Sequence, residues 1–203
     1  ILTEQEKKIS AYHEGGHSLV AASLSHADPV HKVSIVARGR AAGYTLKLPI
    51  EDRHLYAKSH FVDELAVLLG GYAAEQVVFK EITTGAADDL RKATDLARSL
   101  VTRYGMSEKI GPVTFGDREE LVFLGKELGV ERNYSEKIAT LIDEEVRSFI
   151  RRAFDTAKRI VTERRRKLDE IARILIEKES IERDEFDKLI GKLQLEPVRV
   201  ARS

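Results

Sequence analysis

The sequence contains no cysteine and carries no net formal charge. The absence of cysteine excludes disulfide frameworks, thiolate zinc ligands and cysteine nucleophiles, and it leaves His, Asp and Glu side chains for any metal site. Lys plus Arg and Asp plus Glu each total 34, so no global electrostatic field points to nucleic acid or to an anionic membrane. Any partner must therefore be recognised by a local feature of the surface.

Long apolar runs and a nucleotide-binding loop are also missing. The longest apolar stretch, around residues 65–74, is far shorter than the roughly 20 residues that a membrane-spanning helix needs. No G-x-x-x-x-G-K-[ST] pattern occurs, so we expect no ATP binding through a P-loop in this chain. The chain opens at Ile1 without a leader, and we expect a domain of a longer protein rather than a processed chain. Its 203 residues suffice for a soluble globular unit with a core.

The spacing of apolar residues predicts a mainly α fold with one small β ribbon. Thr3 and Glu6 have the form of a capping box, which marks the start of a first helix. Later segments switch between helical spacing and alternation. The predicted elements are a helix to about Ser25, a ribbon over 30–48 with a turn at 38–40, a helix over 52–79 interrupted at Gly70-Gly71 with Leu55 inward, and a helix from Thr83-Thr84-Gly85 to Tyr104-Gly105.

The last part of the chain predicts a long C-terminal helical segment. Residues 106–133 hold recurring glycines without a sustained period, which indicates a long irregular connection. From Ser135 to Leu175 apolar residues recur by threes, fours and sevens, and the opposite face is charged. A short amphipathic helix around Phe186 follows. We therefore expect one domain over 1–195, with parts at 1–133 and 134–195, and a tail at 196–203.

The first predicted helix contains the pattern His-Glu-x-x-His. A spacing of four places His13 and His17 on one helix face within reach of one metal ion. Glu14 projects about a quarter-turn from His13, close enough to accept a proton from a metal-bound water. Gly15 and Gly16 each cost about 1 kcal/mol in a helix relative to alanine, which indicates close approach of a packed helix or a bound peptide. The alternative is a pair of histidines satisfied within a core.

A catalytic zinc usually takes three protein ligands, and the motif supplies two. Val20 and Ser23 stand where the extended metzincin pattern has Gly and a third His, so that pattern is absent. Ala37 and Arg38 stand where a thermolysin-like Glu would fall. Acids on helices expected to pack nearby remain candidates, although each also fits a solvated face or a helix cap. These acids are Asp63, Glu64, Glu75, Asp88 and Asp89.

Five ordered motifs cover nearly the whole chain. They are HEGGH at 13–17, RGRAAGYT at 38–45, LGGYAAE at 69–75, TTGAADDL at 83–90 and YGMS at 104–107. In this order and spacing they resemble the peptidase domain of the FtsH family, the membrane-anchored ATP-dependent zinc proteases. The resemblance implies a helical zinc metallopeptidase domain that binds one zinc ion per chain. It also implies Asp89 as the third ligand beside His13 and His17.

The resemblance further implies hydrolysis of unfolded or membrane proteins that an ATPase module outside this chain delivers, so ATP acts only through that module. It implies a homo-hexamer, held by an N-terminal anchor at the cytoplasmic side of the bacterial inner membrane in the full-length protein. An extended substrate is expected to add to the ribbon as a strand, because main-chain pairing binds peptides with little regard to sequence. Glu75 is expected to accept a hydrogen bond from a ligand histidine. The predicted substrate-strand residues are Val33, Ile35, Gly43, Tyr44 and Thr45.

Two other classes of function compete with the peptidase. An oligomerisation module with a structural histidine pair would bind no zinc, whereas the enzyme binds one zinc per chain. The long charged helix after Ser135 fits either subunit contacts or packing on its own domain. Nucleic-acid binding through the basic run 164–167 is disfavoured, because charge is balanced and no recognisable binding motif is present.

Overall fold

The computed structural model describes residues 2–37, 42–49, 52–116 and 134–192. Within these ranges the chain forms seven α-helices, a short 3₁₀ helix and one three-stranded antiparallel sheet, which confirms the predicted mainly α class. The elements are α1 Glu4–Ser23, β1 Val30–Ser34, β2 Tyr44–Lys47, α2 Lys58–Leu68, α3 Gly70–Phe79, the 3₁₀ helix Thr84–Ala86, α4 Ala87–Thr102, α5 Glu136–Glu163, α6 Arg165–Lys178, β3 Ser180–Glu182 and α7 Arg183–Lys192.

Helix α1 begins at the predicted capping box. The Thr3 side chain accepts the Glu6 backbone N–H, and the Glu6 carboxylate accepts the Thr3 backbone N–H. Two donors of the first turn are thereby satisfied by the helix's own side chains. The helix ends at Ser23, two residues before the predicted end, and packs against α3 and α6. The His-Glu-x-x-His pattern consequently lies inside the molecule, with His13, Glu14 and His17 all buried.

Helices α1 and α3 come into backbone contact at Gly16 and Gly70. A Cβ atom on Gly16 would lie 2.3 Å from the Gly70 carbonyl oxygen and 2.7 Å from the Ala74 Cβ. A Cβ on Gly70 would lie 2.8 Å from the Gly16 carbonyl oxygen. For Gly16, the prediction of close approach by a packed helix is confirmed. Gly15 differs, because its nearest neighbour is the movable Cδ1 end of Leu168, at 3.1 Å from the added Cβ.

The two adjacent glycines should therefore respond oppositely to alanine. We expect Gly16→Ala to lower the free energy of unfolding by about 1 to 3 kcal/mol, because the α3 backbone cannot yield without moving the whole helix. Gly15→Ala is the matched control and should change it by less than about 1 kcal/mol, since better helix propensity offsets a shift of Leu168. Urea unfolding of both variants measures the difference. Equal effects would contradict the proposed helix contact.

The second predicted helix begins later than expected. Residues 52–57 are not helical and α2 starts at Lys58, so the predicted start at Asp52 is wrong. Leu55, predicted to face inward, is 90% exposed, so no buried contact stabilises a helical turn there. The predicted interruption occurs one residue early, at Leu69, which ends α2 and precedes α3. The break redirects the chain so that α3 can cross α1.

The C-terminal helical segment is two helices rather than one long helix. Arg164 has φ −107 and ψ 28, which separates α5 from α6. Its guanidinium Nη1 donates to Ser23 Oγ at 2.9 Å, at the end of α1. Helix α6 then runs along α1 with Leu168 and Ile171 buried. The apolar repeat continues across the break, so periodicity alone did not locate it.

Helices of the predicted C-terminal part pack directly on the predicted metal-site part. Helix α6 lies on α1, and α5 lies against α2, α3 and α4. The division at 133 and 134 stays a prediction. The turn at 38–40, the tail at 196–203 and most of the connection at 106–133 lie outside the described residues. No helix in the described part of the chain combines the length and the apolarity that crossing a bilayer requires.

The predicted ribbon is present and gains an unpredicted third strand. The strand order is β2-β1-β3, and Val33 pairs with Thr45 on one side and Ile181 on the other. The Ile35 N–H donates to the Glu179 carbonyl at 2.9 Å. The part of the predicted substrate strand that lay on Val33 and Ile35 is therefore wrong for strand addition, because the edges of β1 are already paired. Only β2 keeps an edge that no described strand pairs.

Candidate metal centre

Three side chains converge where α1 meets the start of α4. The Nε2 atoms of His13 and His17 lie 3.0 Å apart, and Asp89 Oδ2 lies 3.0 Å from the first and 3.1 Å from the second. The histidines come from one face of α1, and Asp89 comes from the first turn of α4. The structure thus brings together the three residues that the sequence and the resemblance suggest as metal ligands.

The far nitrogen of each imidazole is fixed by an acceptor. His13 Nδ1 lies 2.7 Å from Glu75 Oε1, and His17 Nδ1 lies 2.7 Å from the Val67 carbonyl oxygen. A carbonyl and a carboxylate can only accept, so both Nδ1 atoms donate. In a neutral imidazole this leaves the lone pair on Nε2. Two lone pairs and a carboxylate oxygen then face one point, and this donor set fits a zinc ion.

The electrostatics of the cluster favour a positive charge at the same point. Burial alone lowers the pKa of His13, but hydrogen bonds with Asp89 and Glu75 outweigh burial and raise that pKa to about 10. Burial raises the pKa of Asp89, whereas its contacts with both histidines hold that pKa below its ordinary value. The surroundings therefore stabilise a cation, of the kind that a proton or a divalent metal ion supplies.

Glu75 connects the two segments that carry the converging side chains. Its Oε1 accepts from His13 on α1, and its Oε2 accepts the Thr83 backbone N–H at 2.7 Å, just before the 3₁₀ helix that leads into α4. Burial raises the pKa of Glu75, but these donors lower it below its ordinary value. The predicted contact of Glu75 with a ligand histidine is confirmed. Its hold on the Asp89 segment had no signal in the sequence.

Replacement of Glu75 should weaken metal binding without removing a ligand. An amide offers one oxygen, so in Glu75→Gln one of the two donors would face the NH₂ group. We expect zinc affinity to fall by about 10- to 100-fold. Glu81→Gln, an exposed site in the loop after α3, is the matched control and should keep the parent affinity. Competition with a chromogenic chelator measures both, and unchanged affinity in Glu75→Gln would contradict this role.

The other acids considered from the sequence are engaged elsewhere. Asp88 is exposed and pairs with Arg91 and Lys92. Asp63 accepts the His26 backbone N–H, and Glu64 pairs with Lys47. None of these carboxylates joins the group of converging ligand atoms found among the described residues.

Close backbone packing also shapes the site around His13. A Cβ atom on Gly71 would lie 2.5 Å from both Cε1 and Nε2 of the His13 ring. The glycine therefore leaves the space that the imidazole occupies. The Val67 carbonyl, which orients His17, lies in the last turn of α2, where carbonyls lack a partner in their own helix. A backbone contact of this kind has no signature in the side-chain sequence.

Glu14 lies beside the cluster without joining it. The side chain is buried, and its Oε2 accepts the Thr45 hydroxyl at 2.8 Å. Thr45 belongs to β2, so the sheet borders the site on this side. The sequence placed Thr45 in a substrate strand and gave no sign of its contact with Glu14.

Comparison with known proteins identifies the family. The sequence profile described as Peptidase family M41 matches residues 1–189. The chain belongs to peptidase family M41. The M41 chain is 52% identical over 197 residues to ATP-dependent zinc metalloprotease FtsH 1 of Sphaerobacter thermophilus, which covers 97% of this chain and 30% of that protein. It is 47% identical over 193 residues to ATP-dependent zinc metalloprotease FtsH of Thermotoga maritima, with coverages of 95% and 32%.

These matches confirm the predicted resemblance to the FtsH family. The M41 chain is a peptidase domain and thus a hydrolase, and its family implies zinc. The chain spans about a third of the length of the curated relatives it matches, 30% in Sphaerobacter thermophilus and 32% in Thermotoga maritima. The whole-protein properties of those relatives therefore extend well beyond the segment described here.

Proposed function

We propose that the M41 chain is a zinc metalloendopeptidase domain in which His13, His17 and Asp89 hold one zinc ion and Glu14 is the general base. The observation that carries the proposal is the approach of two imidazole Nε2 atoms and a carboxylate oxygen to within 3.0 to 3.1 Å of one another. Three protein ligands leave a fourth coordination position, as catalytic zinc sites do. A purely structural zinc site would close that position with a fourth side chain.

The position of Glu14 supports its role in proton transfer. Zinc, when bound, lowers the pKa of a coordinated water towards about 7 and polarises a carbonyl oxygen. Glu14 takes a proton from the attacking water as the water oxygen bonds to the peptide carbonyl carbon. It returns that proton to the amide nitrogen as the C–N bond breaks. One water molecule is thus divided between the new carboxyl group and the new amine.

The substrates we infer are unfolded or membrane polypeptides, bound in extended form at the outer edge of β2. Gly43, Tyr44 and Thr45 are the binding residues in this proposal, and the exposed side chains of Leu46 and Leu48 offer apolar contacts nearby. Main-chain pairing at that edge would accept many sequences. The edge is open among the described strands, which supports the proposal.

The remaining whole-protein properties are proposals by relation to proteins named ATP-dependent zinc metalloproteases. An ATPase module outside this chain unfolds and delivers the substrate. The full-length protein forms a homo-hexamer, anchored through its own membrane segment at the cytoplasmic side of the bacterial inner membrane. The ring would confine proteolysis to polypeptides that the ATPase admits.

Zinc removal tests the proposed chemistry. Metal analysis should give one zinc per chain, and dialysis against a strong chelator should abolish casein hydrolysis by the full-length protein supplied with ATP. Added zinc should restore it. ATP hydrolysis should persist during chelation, because the phosphate chemistry lies outside this chain. Undiminished casein cleavage by zinc-free protein would contradict the proposal and favour the competing oligomerisation module.

A further inference from the structure

The start of β2 is fastened across Glu14. Ser10 Oγ, one turn before Glu14 on α1, donates to the Ala42 carbonyl at 3.1 Å. A Cβ atom on Gly43 would lie 2.9 Å from Glu14 Cγ and 2.7 Å from the Ser34 carbonyl oxygen. Only glycine lets the backbone approach this closely. The segment therefore forms a wall against the side chain of the proposed base.

Thr45 completes this contact with a hydrogen bond. Its hydroxyl lies 2.8 Å from Glu14 Oε2 and 3.4 Å from the Glu14 backbone carbonyl, so its single proton goes to the nearer carboxylate oxygen. Among the described residues, no other group donates to the Glu14 carboxylate. Oε1 of Glu14 is left without a protein donor in this part of the chain.

The Thr45 hydroxyl is itself held in place. Thr45 pairs with Val33 of the central strand, and β1 is paired in turn with β3. A β-branched side chain has few χ1 rotamers, so the hydroxyl loses little further entropy in making the bond. A general base gains from such a fixed orientation, because small displacements of reacting groups reduce rates steeply.

We propose that Thr45 is a positioning residue, whose hydroxyl holds Glu14 through Oε2 so that Oε1 is the oxygen that exchanges the proton. The inference rests on the proposed role of Glu14 as general base. It gives β2 two tasks, since the strand with the open edge also orients the base. Substrate specificity and proton transfer would thus share one strand.

Two substitutions at this position separate the hydroxyl from the shape of the side chain. Thr45→Val keeps the branched shape and suits a strand, and should lower kcat for casein in the full-length protein by about 10- to 100-fold. KM and the zinc content should stay within about threefold of the parent, because no ligand or strand edge changes. Thr45→Ser keeps the hydroxyl and should recover kcat to within about threefold. Thr140→Val, which removes an exposed hydroxyl bound to the Glu136 carbonyl, is the matched control.

A second readout does not depend on turnover. In this chain, prepared with ¹³C at the Glu carboxyl carbons and without added zinc, the Glu14 resonance is the one that Glu14→Gln removes. We expect Thr45→Val to shift that resonance and Thr45→Ser to return it towards the parent position. Thr140→Val should leave it unchanged. Thermal unfolding of each variant shows whether the fold is retained.

The outcomes separate this inference from the proposed function. If Glu14→Gln keeps the parent activity, Glu14 is not the base and the proposed function itself fails. If Glu14→Gln is inactive while Thr45→Val matches the parent in kcat and in its Glu14 resonance, the proposed function stands and the positioning role is overturned. Equal losses in Thr45→Val and Thr45→Ser would also overturn it, because serine retains the hydroxyl.

Discussion

The Glu14→Gln variant is expected to retain one zinc per chain and to lose casein hydrolysis by about 10²- to 10⁴-fold, the usual contribution of a general acid–base group. Glutamine matches glutamate in size, and its carbonyl oxygen can still accept the Thr45 hydroxyl. The amide cannot take up a proton at neutral pH, so water activation and protonation of the leaving amine both fail. kcat and metal content of the full-length protein measure the two effects together.

The retained zinc is as informative as the lost activity. Glu14 lies outside the group of converging ligand atoms, so its charge is not needed for coordination. Glu4→Gln, an exposed site in the first turn of α1, is the matched control and should keep both zinc and activity. Loss of zinc from Glu14→Gln would mean that Glu14 is a ligand. Parent-like cleavage would mean that another group is the base.

Asp89→Asn is expected to weaken zinc binding by more than about 100-fold. Groups that only orient a ligand are worth about 10- to 100-fold, and Asp89 supplies a ligand atom and the negative charge of the cluster. The Asn side chain presents a neutral oxygen or an NH₂ group to His13 and His17. Chelator competition on the purified variant gives the zinc affinity, and casein hydrolysis should fall with zinc occupancy.

The neighbouring acid supplies a control one residue away. Asp88→Asn removes the same charge from the same first turn of α4, but its carboxylate is exposed and pairs with Arg91 and Lys92. Zinc affinity should stay within about threefold of the parent, and the loss of a helix N-terminal charge should cost about 0.3 to 1 kcal/mol of stability. The reverse ranking of the two variants would overturn the ligand assignment.

Features written in short stretches of sequence were predicted well. The capping box of Thr3 and Glu6 involves residues three apart, and the imidazole pair involves residues four apart on one helix. In both cases helix geometry alone fixes which side chains meet. The mainly α class followed from the same local periodicity. These features needed no knowledge of how the helices pack.

The third ligand required information from outside local sequence. Asp88 and Asp89 are adjacent on α4 and point about 100° apart, so only the packing of α4 against α1 decides which one meets the histidines. Spacing could not supply that choice, and the family resemblance did. The Val67 carbonyl and the Thr83 N–H were missed for a related reason. Every residue has these backbone groups, and only tertiary structure selects the ones that are used.

The errors in the fold also arose where tertiary packing overrode local pattern. The apolar repeat runs through Arg164, yet the chain turns there so that α6 can cover α1. Leu55 fits a helical repeat but finds nothing to pack against. Strand β3 has three residues, too few for alternation to be recognised, and its pairing with β1 is what closes the edge once assigned to substrate.

An anomalous diffraction measurement at the zinc absorption edge, on crystals of the zinc-loaded chain, tests the central claim most directly. One strong peak per chain is expected, bonded to Nε2 of His13, Nε2 of His17 and a carboxylate oxygen of Asp89. Glu14 should lie nearby without a bond to the metal. A peak at any other place, or ligation by Asp88 or Glu75 in place of Asp89, would contradict the account.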